Sequence, residues 1–254
     1  MASFVLTAGY THSLPVVLIG EGILRAGHRV DMVLVVSPWQ LDRLFRVIDQ
    51  RGLGWLRKRV GLGKGFNTGP SRIESFASEM GIQSSKIKAW ASRHGVPVKN
   101  FKDLNSPGVV AQLERLAPDA VVYGGGGILR GPFIRAAGVT LNAHSGPLPE
   151  IRGMNAAEWT FLLKARREIT IHHIDEGIDT GAPVSSRVID EEATGIDDLR
   201  DLAVLSGVKE MIAVISEDRW RNAYPVIGAA PSRQCFVMAD AIREILNRRL
   251  ANCL

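Results

Sequence analysis

Cysteine is nearly absent from this sequence. Among 254 residues there are only 2 cysteines, Cys235 and Cys253, and they lack the spacing of metal ligands. So sparse a pair does not build a disulfide framework, and it is typical of proteins that work in a reducing compartment. We therefore expect buried or incidental thiols, no metal centre and a cytoplasmic location.

Signal-peptide features at the first residues and long apolar runs are also lacking in this sequence. The first residues, MASFVLTAGY, lack the basic region and the cleavage site of a signal peptide. The longest early apolar run, LPVVLIGEGIL, is interrupted by Glu21 and is too short to span a bilayer. Because internal repeats and low-complexity tracts are absent as well, these features predict a globular protein with no membrane partner.

The charge balance is close to even. Lysine and arginine number 31 against 26 aspartates and glutamates, which gives a formal net charge of +5. An excess of this size permits an anionic ligand but gives little support to nucleic-acid binding. Apolar residues make up 46% of the chain, which is enough for a sizeable core.

Strand-like and helix-like segments alternate along most of the chain. The first three, SFVLTAGY, LPVVLIGEGILRAGH and RVDMVLVVSP, indicate a strand, a helix that ends at Gly27, and a second strand. This order predicts a right-handed βαβ unit and a mostly parallel sheet flanked by helices. We expect one α/β domain over residues 1–190 and a helical C-terminal extension over residues 191–254 packed on it.

A basic segment follows the second predicted strand and an amphipathic helix. Its cations stand among glycines: Arg51, Arg57, Lys58, Arg59 and Lys64. The pattern is typical of a solvated helix face followed by a mobile loop. It also fits a lid over a negatively charged ligand, and both interpretations stay open.

Asn142 and His144 stand two positions apart on the predicted strand VTLNAH. Side chains at such positions point to the same face of a strand. Ligands of open parallel sheets bind beyond the carboxyl ends of the strands. There an amide can stabilise an oxyanion while an imidazole moves a proton. The alternative is a satisfied core histidine beside a turn-forming asparagine.

An acidic, glycine-containing loop follows the predicted strand ITIHHID. Asp175, Glu176 and Asp179 lie there with Gly177 and Gly181. Such residues often only form solvated turns. The loop can also bring a carboxylate against an imidazole and orient it, and Asp179 is the best candidate because Thr180 and Gly181 fix the turn around it.

Four consecutive glycines, at positions 124–127, directly follow the predicted strand DAVVY. A tight turn needs fewer glycines, and the extra ones let the backbone approach a flat ligand. The spacing matches neither a dinucleotide fingerprint nor a phosphate-binding loop. The alternative is a flexible loop without a ligand.

These three elements occur in a recognisable order. LNAHSGPLPEIRGMNAAEWTFLL and ITIHHIDEGIDTGAPV contain Asn-x-His, Leu-Pro, Arg-Gly-x-x-x-x-x-Trp and Asp-x-Gly-Ile-Asp-Thr-Gly. Upstream, HGVPV, DLNSP and LAPDAVVYGGGGIL keep the same order. The sequence resembles, over residues 1–190, the formyltransferase family that uses 10-formyltetrahydrofolate. The resemblance implies a Rossmann-like formyltransferase fold.

The resemblance also implies roles for individual residues. Asn142, His144 and Asp179 would be catalytic, and an amine would attack the formyl carbon of 10-formyltetrahydrofolate. Asn142 would hold the tetrahedral oxyanion. His144, or a water held by His144 and Asp179, would carry the proton from the amine to the departing folate nitrogen. The implied folate-pocket residues are Tyr123, Gly124, Gly125, Gly126, Gly127, Ile128, Leu129, Asp175, Gly177, Ile178 and Gly181.

The sequence departs from the family pattern at three places. Ser145-Gly146-Pro147 follows His144 where many members have Pro-Ser-Leu, which changes the pocket edge. GYTHSLP provides no phosphate cradle and argues against a nucleotide acceptor. The tail is too short and too helical for the β-barrel of the tRNA-specific members. We expect a small amine as acceptor: an amino sugar, an amino acid derivative or a specialised-pathway intermediate. Its candidate contacts are Tyr10, His12 and Ser13, and a helix-capping or structural role is an equal alternative for His12.

Other functions stay open at this point. Water as acceptor would make the protein a formyltetrahydrofolate hydrolase, and a related one-carbon or carbamoyl group is another alternative. Outside enzymes, the chain would be a catalytically silent folate-binding partner. The oligomeric state is also open, and the C-terminal helices are candidates for packing between the subunits of a homodimer.

Overall fold

A computed structural model describes residues 1–36, 71–224 and 232–251 of the chain. The amphipathic helix predicted after Pro38, the basic segment at residues 51–64 and Cys253 lie outside these ranges. No helix in the three described ranges is both long enough and apolar enough to cross a membrane.

Nine strands form in the described residues. They are β1 Ser3–Ala8, β2 Arg29–Val36, β3 Val98–Phe101, β4 Ala120–Val122, β5 Thr140–His144, β6 Ile151–Gly153, β7 Glu168–His173, β8 Pro183–Val188 and β9 Arg233–Cys235. Most coincide with predicted strands, because runs of β-branched and apolar residues fit a buried pleated sheet. The sequence analysis did not predict β6 and β9, which have 3 residues each.

Eight α-helices connect or follow these strands in the same ranges. They are α1 Leu14–Arg25, α2 Arg72–Glu79, α3 Ile87–Arg93, α4 Pro107–Leu116, α5 Gly131–Ala137, α6 Ala156–Leu162, α7 Ile196–Ser216 and α8 Asp240–Ala251. Gly27 lies just after α1 with φ +78°, as expected for the glycine that ends a helix. α2 was not predicted; it begins with a capping box between Ser71 and Glu74.

Seven strands form one sheet in the order β3-β2-β1-β4-β5-β7-β8. β1 to β5 are mutually parallel, whereas β7 and β8 run antiparallel to their neighbours. The prediction of a mostly parallel sheet flanked by helices is therefore confirmed. The antiparallel β7 has a direct consequence, because it pairs along the part of β5 that contains Asn142 and His144.

Apolar side chains cover both faces of the sheet. On one face, Val17 and Ile23 of α1 and Met211 of α7 pack with Phe4 and Leu6 of β1. The second face carries a smaller cluster from β1, β2, α4 and α5: Val5, Leu34, Val109, Leu113 and Phe133. Burial of both faces explains why the parallel strands are continuous apolar runs rather than alternating ones.

Of the two C-terminal helices, α7 packs on the sheet and α8 packs on α7. α7 contributes Leu202, Val208 and Met211 to the same cluster as the sheet residues. α8 packs farther out, where Leu246 and Leu250 join Leu199 of α7. Between these helices, β9 pairs in parallel with β6. The division into residues 1–190 and 191–254 stays a prediction.

Candidate active site

Asn142 and His144 lie on one face at the carboxyl end of β5. Antiparallel pairing places Asn142 opposite His172 and His144 opposite Thr170 of β7. Thr170 also fixes the loop after His144, because its hydroxyl donates to the Gly146 carbonyl at 2.8 Å. The position predicted from the two-residue spacing is therefore an edge where a strand, a loop and a neighbouring strand meet.

The His144 imidazole is buried and oriented through both ring nitrogens. Nε2 lies 2.8 Å from the Ile151 carbonyl, which can only accept, so Nε2 carries the hydrogen. Nδ1 lies 3.4 Å from Oδ2 of Asp179. Burial lowers the pKa of His144, and the nearby Asp179 carboxylate and the Ile151 carbonyl partly oppose that shift. A neutral His144 therefore presents a basic Nδ1 beside a carboxylate that stabilises the protonated ring.

Asp179 has an unusual backbone conformation, and its carboxylate accepts a backbone hydrogen bond. Its φ is +51°, in the left-handed region that few non-glycine residues adopt. Oδ2 accepts the Gly153 amide at 2.8 Å. Asp175 closes the same loop by accepting the Gly177 amide at 3.0 Å and the Thr180 hydroxyl at 2.6 Å. The loop is thus a compact turn that directs Asp179 toward His144, as predicted.

His172 is a site residue that the sequence analysis missed. Its Nδ1 lies 2.8 Å from the His173 carbonyl and therefore carries the hydrogen, which leaves Nε2 as an acceptor. The Asn142 amide nitrogen lies 3.0 Å from that Nε2. Burial and the neighbouring His144 lower the pKa of His172 to about 4, against an opposing effect of Asp179. A neutral His172 thus orients the Asn142 amide group, whose second N–H is available to a ligand.

A cleft of about 490 Å³ opens above these side chains. Asn142, His144, His172 and Asp179 all line it, so the predicted trio converges on one cavity. The predicted folate-pocket residues that line it are Tyr123, Gly127, Ile128, Leu129, Asp175, Gly177 and Ile178. Its size lies within the usual range for small-molecule sites.

The other predicted folate-pocket glycines are not among the residues that line the cleft. A side chain at Gly124 would overlap Val16 and the Thr7 carbonyl, and one at Gly126 would meet Leu104. Gly125 contacts Gly9, and Gly181 approaches the His173 carbonyl too closely for a Cβ atom. The small size of Gly124, Gly125, Gly126 and Gly181 thus permits close packing against neighbouring elements. Direct ligand contact by these four stays a prediction.

The predicted acceptor residues lie beside the cleft rather than in it. Tyr10 is exposed, and His12 forms an isolated bridge with Lys86. Ser13 precedes α1 and makes no side-chain capping bond. None of the three lines the 490 Å³ cleft. Acceptor contact by Tyr10, His12 and Ser13 therefore stays a prediction.

Several cleft residues were not predicted as site residues from the sequence. They are Gly153, Met154, Ile174, Gln234, Cys235 and Phe236. The last three reach the cleft because β9 pairs with β6. Each of these strands has only 3 residues, which is too short for an alternating pattern that would predict a strand from the sequence. Burial raises the pKa of the Cys235 thiol, which fits a structural thiol rather than a nucleophile.

A second cavity of about 270 Å³ shares His144, Gly153 and Met154 with the cleft. Its other walls include the small residues Ala143, Ser145, Ala156, Ala157 and Ala203. Glu158 is buried in its wall, where Oε1 accepts a hydrogen bond from Nε of Arg200 at 2.8 Å and lies 2.7 Å from Nη2 of the same ion pair. The Asn155 amide donates to the same oxygen at 2.8 Å.

A family model described as formyl transferase matches residues 82–200, which contain Asn142, His144, His172 and Asp179. Over residues 82–200, the chain is therefore similar to the formyltransferase family. A methionyl-tRNA formyltransferase from Anaeromyxobacter dehalogenans (strain 2CP-1 / ATCC BAA-258) is 35% identical over 135 residues, which are 50% of this chain and 42% of that protein. The chain thus spans less than half the length of this curated relative.

Solved formyltransferases share the fold over a longer stretch. A sugar N-formyltransferase from Shewanella sp FDAARGOS_354 matches with a TM-score of 0.59 and 11% identity, over 98% of this chain and 88% of that one. The N-formyltransferase from Helicobacter canadensis, solved with folinic acid and dTDP-3-aminofucose, matches with a TM-score of 0.52 and 15% identity, over 92% of this chain and 71% of that one. These matches confirm the predicted formyltransferase fold.

Proposed function

We propose that this protein is an N-formyltransferase that moves a formyl group from 10-formyltetrahydrofolate to the amine of a small molecule. The observation that carries the proposal is the convergence of the Asn142 amide, the His144 imidazole and the Asp179 carboxylate on one cleft. Formyl transfer needs these three groups, since negative charge develops on the formyl oxygen while a proton leaves the attacking nitrogen.

The donor site is the 490 Å³ cleft. Its walls combine apolar side chains, such as Leu129 and Ile174, with backbone groups of Gly127 and Gly177. Such a lining suits a flat, weakly polar ring system with hydrogen-bonding edges. The folinic acid bound by the Helicobacter canadensis protein supports a folate as donor for a chain of this family.

The proposed reaction assigns one role to each polar side chain. The amine nitrogen bonds to the formyl carbon, and the second N–H of Asn142 stabilises the resulting oxyanion. Nδ1 of His144, directly or through a water that it shares with Asp179, takes the proton from the attacking nitrogen. The bond to folate N10 then breaks, and N10 receives that proton. Asp179 stabilises the imidazolium between these two transfers.

The acceptor site is the 270 Å³ cavity on the other side of His144. A cavity of this size beside the catalytic imidazole favours a small amine over water alone. Within the described residues, both hydrogen bonds and the ion-pair contact of Glu158 involve Oε1, so Oε2 is left to a donor group of the acceptor. An amino sugar or an amino acid derivative provides such a donor. The curated relatives named for methionyl-tRNA make that tRNA the main competing acceptor.

The test is a turnover assay with 10-formyltetrahydrofolate and a panel of amino sugars, amino acids, their derivatives and methionyl-tRNA. Release of tetrahydrofolate and the mass of each acceptor are followed together. We expect a formylated small amine, and loss of turnover in Asn142→Ala and His144→Ala. Release of tetrahydrofolate without any formylated acceptor indicates hydrolysis. Formylation of methionyl-tRNA alone overturns the proposed acceptor class, and absence of both turnover and folate binding overturns the proposed function.

A further inference from the structure

The C-terminal strand β9 is attached to the part of the chain that positions the catalytic residues. β6 and β9 pair in register, with Ile151 opposite Arg233 and Gly153 opposite Cys235. The Met154 amide donates to the Cys235 carbonyl at 3.0 Å. A Cβ atom at Gly153 would overlap that same carbonyl oxygen, so only glycine permits this approach. The strand is therefore closely fitted to the active-site loop.

β6 also contacts both His144 and Asp179. The Ile151 carbonyl accepts Nε2 of His144, and the Gly153 amide donates to Asp179. Next to them, Arg152 donates to the Ser232 hydroxyl at 2.7 Å and to the Ile178 carbonyl at 3.3 Å. One short strand thus connects His144, the Asp179 loop and the C-terminal segment at residues 232–236.

Four large apolar side chains at the mouth of the cleft are exposed in the part of the chain that the structure describes. Ile128 and Phe236 are each 71% exposed, Met154 is 58% exposed and Ile178 is 44% exposed, and all four line the cleft. The backbone beneath Phe236 is fixed, because its carbonyl accepts Nε1 of Trp159 at 2.9 Å. A cluster of exposed apolar groups at a cleft is typical of a surface that a ligand covers.

We propose that residues 232–236 complete the folate cleft and that Phe236 packs on the p-aminobenzoyl ring of the folate. This inference rests on the proposed function. The folate atom N10 must lie near His144 at the cleft floor, and the glutamate carboxylates must stay in water because their burial is costly. The p-aminobenzoyl ring joins these two parts and therefore crosses the apolar mouth. Phe236 is the aromatic side chain there that can stack on it.

The test compares Phe236→Ala with the unchanged full chain in calorimetric binding of 5-formyltetrahydrofolate, a stable isomer of the donor. We expect an affinity about tenfold weaker, since an aromatic contact is lost. Phe236→Tyr keeps the ring and should bind as the unchanged protein does. Val237→Ala is the matched control, because Val237 is the next residue, is 50% exposed and does not line the cleft.

A tetrahydropterin that lacks the p-aminobenzoylglutamate part identifies which ring Phe236 contacts. The dissociation constant of this tetrahydropterin, measured by competition with 5-formyltetrahydrofolate, should be equal in the unchanged protein and in Phe236→Ala. An equal loss for both ligands overturns the assignment to the p-aminobenzoyl ring. Unchanged 5-formyltetrahydrofolate affinity in Phe236→Ala overturns the role of the C-terminal segment while leaving the proposed function intact. If the unchanged protein does not bind 5-formyltetrahydrofolate, both proposals fail.

Discussion

Nε2 of His172 lies 3.0 Å from the amide nitrogen of Asn142, and the His173 carbonyl fixes the tautomer that makes this Nε2 an acceptor. The relationship connects a residue of β7 with a residue of β5 across an antiparallel pair. It determines which end of the Asn142 amide faces the cleft. The donor that would stabilise the oxyanion is therefore positioned by a neutral, buried histidine.

Replacing His172 tests this positioning role. In His172→Phe the Asn142 amide loses its acceptor, so we expect kcat to fall roughly 10- to 100-fold, since a lost oxyanion donor costs about 100- to 1000-fold. His172→Gln keeps an acceptor oxygen and should recover most of kcat. The measurement is steady-state tetrahydrofolate release, with the acceptor identified in the panel. Equal losses in the two variants would mean that His172 only fills space.

Removing the charge of Asp179 should affect chemistry more than folate binding. In Asp179→Asn the imidazolium of His144 loses its stabilising carboxylate, so we expect kcat to fall by about two to four orders of magnitude. The pKa of His144 should fall further, because Asp179 opposes the effect of burial. The acidic limb of the kcat/KM profile then moves to lower pH. Binding of 5-formyltetrahydrofolate, measured by calorimetry, should stay within about threefold; a limb that moves to higher pH would contradict this electrostatic account.

The buried histidines should make the protein less stable in mild acid. The pKa of His172 falls from 6.5 in the unfolded chain to about 4 in the fold, so the unfolded state binds the proton more readily. This contribution to stability is complete above pH 6.5 and is lost as the pH falls toward 4. At about 1.4 kcal/mol per pKa unit, the loss is about 3 kcal/mol.

Urea unfolding at several pH values between 7.5 and 4 measures this dependence. His172→Gln lacks the titrating group and should show a smaller decrease in the free energy of unfolding over the same interval. A decrease of the same size in both proteins would assign the acid sensitivity to other groups.

The Glu158–Arg200 pair should contribute to stability and to acceptor binding. Glu158 is buried while Arg200 is 40% exposed, so the arginine can hydrate when its partner is lost. For Glu158→Gln we therefore expect a loss of about 1 to 2 kcal/mol in unfolding free energy, below the usual cost of breaking a fully buried pair. The acceptor KM should rise, while the affinity for 5-formyltetrahydrofolate should not change.

Glu244→Gln is the control for that variant, because Glu244 pairs with Arg248 at 2.6 Å on the exposed side of α8. It should cost less than about 0.5 kcal/mol and leave both ligands unaffected. An unchanged acceptor KM in Glu158→Gln would mean that the Glu158–Arg200 pair does not contribute to acceptor binding.

The sequence by itself determined the architecture and most of the proposed catalytic group. Apolar runs separated by helical segments predicted the mostly parallel sheet, because strands covered on both faces cannot alternate with polar residues. The spacing of Asn142 and His144 predicted their common face, and the glycines around Asp179 predicted the turn that brings its carboxylate to His144. Each of these features depends on residues that are close in the chain. The order of neighbouring residues in the sequence is therefore enough to predict their local geometry.

Only the tertiary structure decided which distant segments meet at the cleft. His172 reaches Asn142 because β7 pairs antiparallel with β5, and Phe236 reaches the mouth because β9 pairs with β6. It likewise packed Gly124, Gly125 and Gly126 closely against neighbouring elements and left them out of the cleft lining. Strand pairing between remote segments depends on how all the buried faces fit together. That global condition leaves no periodic pattern in a strand of 3 residues such as β9.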